Sequence, residues 1–467
     1  MKNFNYLRFQ VRNIKIFFKF EDLGTNYPTE ILAGITTFIT LAYTLVVTPN
    51  ILSHAIFLSQ PGDLFEQLVF ATAIVSCIST IFVGCLANYP FALAPGMGLN
   101  SLFAFSIVLD LRLDWRLALL AVFIQGLLLI VLSLSNFRNY LIEAIPVSLK
   151  HATVAGIGLF IAYIAVSGNP EPPILGAGLI VSSEATKTAL GSLKHPVTLT
   201  AIFGVILTIA LTVRRIKGGM LWGVLLTALL GWILGVARWP QGIIALPNWP
   251  VDLFCQALTG FKYFTPKQIG NFIAAIFILL FVTLFDSIGA MVGLGQQAGI
   301  TEGDGELPRS GRTIFALAVG TIIGSLVGIS PVAPYLESAA GISEGGRSGF
   351  SSLVVAVLML LSILFIPLLS AVPSFAIAPV LILVGVLMFG KSVRAINWDA
   401  QADAISAFLV ILMMPITFSL ADGLAVGFIF YPLIKAFQGK AKELKLPLVL
   451  ISTFSLLYFV LITIQKT

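Results

Sequence analysis

Charge is scarce in this chain. Asp, Glu, Lys and Arg make up 10% of its 467 residues and hydrophobic residues 58%, whereas a soluble domain carries about a quarter charged residues. That balance excludes an ordinary soluble domain and points to the lipid bilayer. Cysteine and histidine are scarcer still. Cys77, Cys85 and Cys255 give neither an even disulfide framework nor a metal spacing, and His54, His151 and His195 are too far apart in sequence to form a ligand pair. No metal and no cofactor is expected, and without a nucleophile–base pair or metal cluster the chain does not read as an enzyme. The glycine-rich strings GLGQQAG and GISEGG match neither a dinucleotide fingerprint nor a phosphate loop. The net charge of +6 comes without basic clusters interleaved with stacking aromatics, so no nucleic-acid partner is expected. Nor does MKNFNYLRFQVRNIKIFFKFED resemble a cleaved signal: it scatters basic residues among aromatics with no uninterrupted apolar core, and reads as an amphipathic interfacial stretch.

Long apolar runs are what the sequence has in quantity. Fourteen or fifteen windows are long enough to cross a hydrocarbon core of about 30 Å. The clearest span 28–50, 66–87, 114–134, 145–166, 197–213, 218–237, 270–296, 349–371, 374–390 and 445–464. By the positive-inside rule the basic N-terminus is cytoplasmic, and counting spans puts RRIKGG (214–219) and KSVRAI (391–396) on the same side and 167–195 outside. The expected location is the plasma (inner) membrane, crossed many times.

The shorter segments carry breaks that water cannot repair in lipid. ALAPGMGLNS (92–101) and PVAPYLESAA (331–340) share an Ala-Pro step, and AIPVSLKHATVAGIGLFIAY (144–163) is echoed by AVPSFAIAPVLILVGVLMFG (371–390). Matching order in both halves suggests duplication, and an odd number of spans per half would insert the copies in opposite senses. Pro95 and Pro334 lack a backbone donor and suit the first turn of a helix, so each motif reads as an extended approach followed by a half-helix. Such backbone survives in a bilayer only where protein or a polar cavity satisfies it. Each break therefore predicts a binding site, with helix-start N–H groups aimed into it.

Three polar side chains accompany the breaks. Asn100 and Glu337 follow Pro95 and Pro334 within about a turn and a half, supplying donor and acceptor groups suited to a planar heterocycle. Asp286 stands alone in FILLFVTLFDSIGAMVGLGQQAG (277–299), where an ionised carboxylate costs about 2.5–3.5 kcal/mol and so normally faces a pathway. Gly289 and Gly293 share its helical face and admit a ligand or a neighbouring helix. The structural alternatives are a neutral, packed Asp286 and a helix-capping Glu337. TEGDGELPRSGR (301–312) reads as a solvated cytoplasmic loop.

With these residues the sequence resembles the nucleobase-cation symporter family, in its AzgA-like purine permease branch. The resemblance rests on AGITTFITLAYTLVVTPNIL (33–52), APGMGLNSLFAF (94–105), TLFDSIGAMVG (283–293), GISPVAPYLESAAGISEGGRSG (328–349) and MMPITFSLADGLAVGF (413–428), in order along nearly the whole chain. It implies an all-α polytopic membrane protein built of two inverted repeats of seven transmembrane segments. After a cytoplasmic N-terminus (1–27), a core domain would comprise 28–137 and 263–371, and a gate domain 138–262 and 372–467. By analogy, Asp286 and Glu337 match the acidic substrate-binding and proton-coupling positions. Asn100, Gly96, Met97 and Ser338 complete the expected substrate site, between the breaks at Pro95 and Pro334. Asp286, in mid-helix, reads as the proton carrier and Glu337, at a helix start, as the permanent acceptor.

The implied activity is uptake of adenine, guanine or hypoxanthine coupled to a proton rather than sodium, by alternating access; the resemblance also admits a homodimer through the gate domain. The alternative is an anion exchanger or channel of the same architecture, although two ionised carboxylates would repel an anion. One departure stands out: Leu446 to Ile464 is an apolar segment beyond the family's plan, either crossing the membrane or lying along it.

Overall fold

The computed structural model describes residues 14–135, 145–167, 177–183, 187–245, 249–265, 268–300, 307–417 and 419–466. The first thirteen residues and 301–306 lie outside these, and with them parts of the expected amphipathic stretch and of the polar loop. The first span is two helices, α1 (Tyr27–Leu41) and α2 (Thr44–Leu52). Asn26 starts α1 by accepting from Thr29 N at 3.0 Å, with Pro28 in the first turn. Then come α3 (Phe65–Ala87), the short strand β1 (Leu93–Pro95), the half-helix α4 (Met97–Ser101) running on as a π-helix over Leu102–Asp110, and α5 (Trp115–Leu134). The helices α6 (Val147–Val166), α7 (Pro196–Val213) and α8 (Gly219–Ile233) close the first repeat, with a hairpin of β2 (Ile180–Ser183) and β3 (Lys187–Leu190) between α6 and α7.

A short helix α9 (Gln256–Thr259) leads to the second repeat: α10 (Ile269–Ala298), α11 (Ser310–Leu326), β4 (Val332–Pro334), the half-helix α12 (Ser338–Ser343), α13 (Gly349–Leu361) with α14 (Ile366–Ser370), α15 (Ser374–Arg394), α16 (Gln401–Thr417) and α17 (Leu420–Phe437). Among the described residues eight helical spans are long and apolar enough to cross a membrane, and four apolar helices are shorter. The half-helix α12, α17 and a last helix, α18 (Leu446–Lys466), complete the series. The C-terminal apolar run is thus a helix of 21 residues, and it packs mainly on α17.

The two repeats are inverted, and the crossings show it. Serine 148 Oγ, at the start of α6, accepts from Asn397 N, just past the end of α15, at 3.2 Å. These two helices therefore run antiparallel. They touch through glycine: a Cβ on Gly158 would lie 2.7 Å from the carbonyl oxygen of Gly385. Small residues permit this because helix association in lipid depends on close packing rather than water exclusion. Packing sorts the helices into a core, α1–α5 with α10–α14, and a gate, α6–α8 with α15–α17; α9 packs on α5.

The N-terminal stretch and RRIKGG meet on one face. Lys217 pairs with Glu344 at 2.5 Å, and Asn88, at the end of α3, donates from Nδ2 to the carbonyl of Phe18 at 3.0 Å. Beside them the fully buried Glu30 accepts from Arg347 N at 2.9 Å, Ser348 N at 3.1 Å and Ser351 N at 3.2 Å. These are the otherwise unpaired amides at the start of α13, so a carboxylate is well placed there.

Candidate functional site: a cavity between two broken helices

Each break exposes backbone groups that must find partners inside the protein. Strands β1 and β4 supply most of them by pairing antiparallel, Leu93 opposite Pro334 and Pro95 opposite Val332. Gly96 N donates to Pro331 O at 3.1 Å and Tyr335 N to Ala92 O at 3.0 Å. Buried hydroxyls serve the outer edges. Leu93 N donates to Thr80 Oγ1 at 3.0 Å, Val332 N to Thr321 Oγ1 at 3.2 Å and Ala92 N to Ser338 Oγ at 2.9 Å. The Tyr335 hydroxyl donates to Pro95 O at 2.6 Å. Neither proline needs to donate, so this two-stranded ladder tolerates both.

A cavity of about 430 Å³ opens where the two half-helices begin. Gly96 and Met97 line it from the first break, Pro334 and Glu337 from the second, and Asp286 from α10. Gly289 and Gly293 continue the α10 wall, and an added Cβ at either would meet nothing within 4 Å. The glycine face next to Asp286 thus adjoins open space rather than a packed helix. Glu337 stands at the start of α12 but does not cap it with its side chain; it accepts from the Tyr43 hydroxyl at 2.5 Å. Tyr43 reaches it from the bend between α1 and α2.

Asn100 and Ser338 lie elsewhere. Both are completely buried behind the cavity wall. Asn100 donates from Nδ2 to Thr48 Oγ1 at 3.0 Å and accepts from the Ser330 hydroxyl, while Ser338 accepts from Ala92 N. Pro95 likewise stays in the strand, its carbonyl held by Tyr335. The geometry gives these three a bracing position.

Several lining residues were not anticipated from the sequence: Tyr43 and Tyr335 on the core side, and Met220, His151, Lys391 and Ser392 on the gate side. Both tyrosines sit inside stretches already picked out, Tyr335 between Pro334 and Glu337. The gate residues had only a topological signal, Lys391 as a basic flank and His151 as an unpaired histidine.

A polytopic bundle with two opposed half-helices, a paired strand at each break and carboxylates in the resulting cavity is a membrane transporter of the inverted-repeat kind. The chain belongs to the permease family, whose pattern it matches over residues 28–426. It is 44% identical over 430 residues to a permease of Methanocaldococcus jannaschii, covering 92% of this chain and 94% of the relative. It is 41% identical over 454 residues to the guanine/hypoxanthine permease PbuG of Bacillus subtilis, covering 96% and 99%. Among solved structures, the transmembrane domain of the cyanobacterial bicarbonate transporter BicA superposes with a TM-score of 0.58 over 86% of this chain and 97% of that one, at 18% identity. That likeness concerns the fold.

Proposed function

We propose that this chain is a secondary active transporter that takes up purine nucleobases, adenine, guanine or hypoxanthine, by alternating access coupled to a proton. The observation that carries the reading is the convergence of two half-helix starts and two carboxylates, Asp286 and Glu337, on one cavity. The relation to a guanine/hypoxanthine permease supports the substrate class. A neutral bicyclic base offers ring N–H groups to the carboxylates and ring nitrogens or an exocyclic group to the half-helix amides. Gly96 and Met97 contribute backbone at the first break. Asn100 and Ser338 act by fixing the breaks in register.

The shared anion-transporter fold supplies the rival reading, but its cargo would meet two acidic side chains in this cavity. Asp286 carries the proton, because it lies in mid-helix and opens on the cavity, while Glu337 stays an acceptor oriented by Tyr43. A proton moving down about 100 mV and one pH unit supplies roughly 2.3 plus 1.4 kcal/mol, sufficient for about a 500-fold gradient of a neutral solute. We assign the N-terminus and the Lys217 face to the cytoplasmic side of an inner membrane; the lining by Met220, Lys391 and Ser392 supports reading the cavity as inward-facing. The core comprises 28–137 and 263–371, and the gate 138–262 and 372–467.

Uptake of labelled hypoxanthine and sulfate into proteoliposomes, with and without an imposed proton gradient, tests the reading. Gradient-driven hypoxanthine accumulation that disappears in Asp286→Asn supports it. Sulfate uptake without purine uptake overturns it.

A further inference from the structure

The connection between the last two helices builds a second cavity, of about 190 Å³, apart from the one between the broken helices. The family's pattern stops at residue 426, and most of this cavity's wall lies beyond it. Tyr431 and Lys435 line it from α17, Glu443 from the turn that follows, Lys445 and Leu448 from the start of α18, and Pro146 from the start of α6. Two helices begin at this wall. The carbonyl of Pro146 accepts the first bonds of α6, from Leu149 N at 3.1 Å and Lys150 N at 3.2 Å. That of Lys445 accepts the first bonds of α18, from Leu448 N at 3.0 Å and Val449 N at 3.3 Å. No side chain caps α6. The positive ends of two helix dipoles therefore adjoin a cavity that two lysines already line.

The chain's own anion marks the position. Glu443 pairs with Lys435 at 2.9 Å, its side chain 56% exposed and that of Lys435 18%, and Lys435 Nζ lies 5.9 Å from the centre of the Tyr431 ring. A carboxylate on a short exposed turn thus covers a largely buried lysine. Residues 435–445 carry four lysines against this one glutamate, and Asp403, at the start of α16, is the other carboxylate that acts on Lys435. The balance stays positive. The flanks are apolar: Leu448 is buried in the wall, while Phe437, Leu446 and Leu450 are exposed beside it. A soluble phosphate ester has no use for such a flank, whereas a phospholipid sets its phosphate on the lysines and runs its acyl chains down α18. Basic pockets between membrane helices hold anionic headgroups in this way. The volume falls below the roughly 300 Å³ from which pockets enclose a drug-sized ligand, which suits a headgroup.

We propose that this cavity binds the phosphate headgroup of an anionic phospholipid, in the leaflet at the end of the bundle where α6 begins, and that Glu443 takes the headgroup's place on Lys435 when no lipid is bound. The site belongs to the gate and to α18, and its lipid is the same whichever cargo the core carries.

The test uses the full chain purified in detergent, with native mass spectrometry counting bound molecules during titration with phosphatidylglycerol, phosphatidylcholine or, as a soluble phosphate, glycerol 3-phosphate. One phosphatidylglycerol should bind at least about fivefold tighter than phosphatidylcholine, the worth of about one lysine beside an anionic headgroup. Lys435→Gln with Lys445→Gln should weaken it more than about tenfold, and Lys445→Gln alone, which serves where the double variant does not fold, about fivefold. Lys19→Gln with Arg214→Gln removes the same charge from exposed positions outside the cavity and should change binding less than about twofold, because solvent screens distant surface charges. Glu443→Gln removes the competing carboxylate and should tighten phosphatidylglycerol binding about fivefold; an ion pair that only holds the turn gives no tightening. Equal affinity for the two lipids, a loss in the cavity variant no larger than in the control, or unchanged binding in Glu443→Gln each overturns the proposal. Glycerol 3-phosphate binding as tightly as phosphatidylglycerol overturns the lipid assignment in favour of a soluble phosphate.

Discussion

Two glycines on cavity-forming helices should respond to the same substitution with opposite signs. On α6, a Cβ at Gly158 would stand 2.7 Å from Gly385 O, 2.9 Å from Met388 Cβ and 3.0 Å from Phe389 N. Two of those obstacles are backbone of α15. An alanine there must push the gate helices apart by several tenths of an ångström, and overpacking of this kind costs about 1–3 kcal/mol. On α10, a Cβ at Gly289 would meet nothing within 4 Å. Gly289→Ala therefore gains the helical preference of alanine over glycine, about 0.5–1 kcal/mol, while placing a methyl group in the cavity beside Asp286. Thermal unfolding of the purified variants in detergent, followed by hypoxanthine uptake after reconstitution, reads both effects. Gly158→Ala should unfold at lower temperature. Gly289→Ala should unfold at the same or higher temperature yet transport with a raised KM, and Gly289→Val should worsen transport further without loss of fold. A destabilised Gly289→Ala, or one that transports like the wild type, would refute the placement of this helix face on open substrate space.

The bracing residues should behave in another way. Asn100→Ala strands the Thr48 and Ser330 hydroxyls, and Ser338→Ala strands Ala92 N; each should cost about 1–3 kcal/mol and lower the unfolding temperature, with KM of the surviving protein unchanged in uptake assays. Glu30→Ala leaves two buried amides and a half-buried one at the start of α13 without an acceptor and should cost about 3 kcal/mol or more, read as lost yield and thermal stability, with Glu30→Gln recovering part. His54 lies in the turn after α2, where burial holds its imidazole below the ordinary value despite the contact of Nδ1 with Asn50 O at 2.7 Å. Its neutral form is favoured in the fold, so its contribution is present above pH about 6.5 and declines as pH falls through that value toward the lowered one. Thermal unfolding between pH 5 and 8 should show a shallower acid-side slope in His54→Gln.

How much of this was legible in the sequence depends on what each residue had to do. Helical spans were readable because lipid demands long apolar runs, and the ends of α3, α5, α6 and α7 fall within a residue or two of the hydropathy windows. The breaks were readable because proline in the middle of a membrane has few explanations. Which polar residue near a break faces the ligand was not readable. Asn100 and Glu337 stand at similar distances from their prolines, yet one points into a hydroxyl pair and the other into the cavity. That choice is made by Thr48 and Ser330, which a linear sequence does not place beside Asn100. The gate residues were hidden for the same reason. His151 and Lys391 become neighbours only through the Gly158–Gly385 crossing.

The strand pair also constrains how the proposed transport cycle can run. Because β1 and β4 are hydrogen-bonded to each other, with Tyr335 tied to Pro95 and Ser338 to Ala92, the two half-helices cannot part without leaving several buried amides unpaired. Each such group costs several kcal/mol in a bilayer. Opening the site by separating the two repeats at the breaks is therefore costly, and a motion that keeps the ladder intact is favoured. In the proposed cycle the core then moves as one body, carrying Asp286, Glu337 and the bound base past a gate that meets the start of the half-helix through an apolar contact, Gly98 against Ile157. That contact can slide without breaking a hydrogen bond, and the polar links across the same boundary, Leu420 N to Ser106 Oγ and Lys217 to Glu344, are few beside the strand ladder, so the motion falls at the boundary between core and gate.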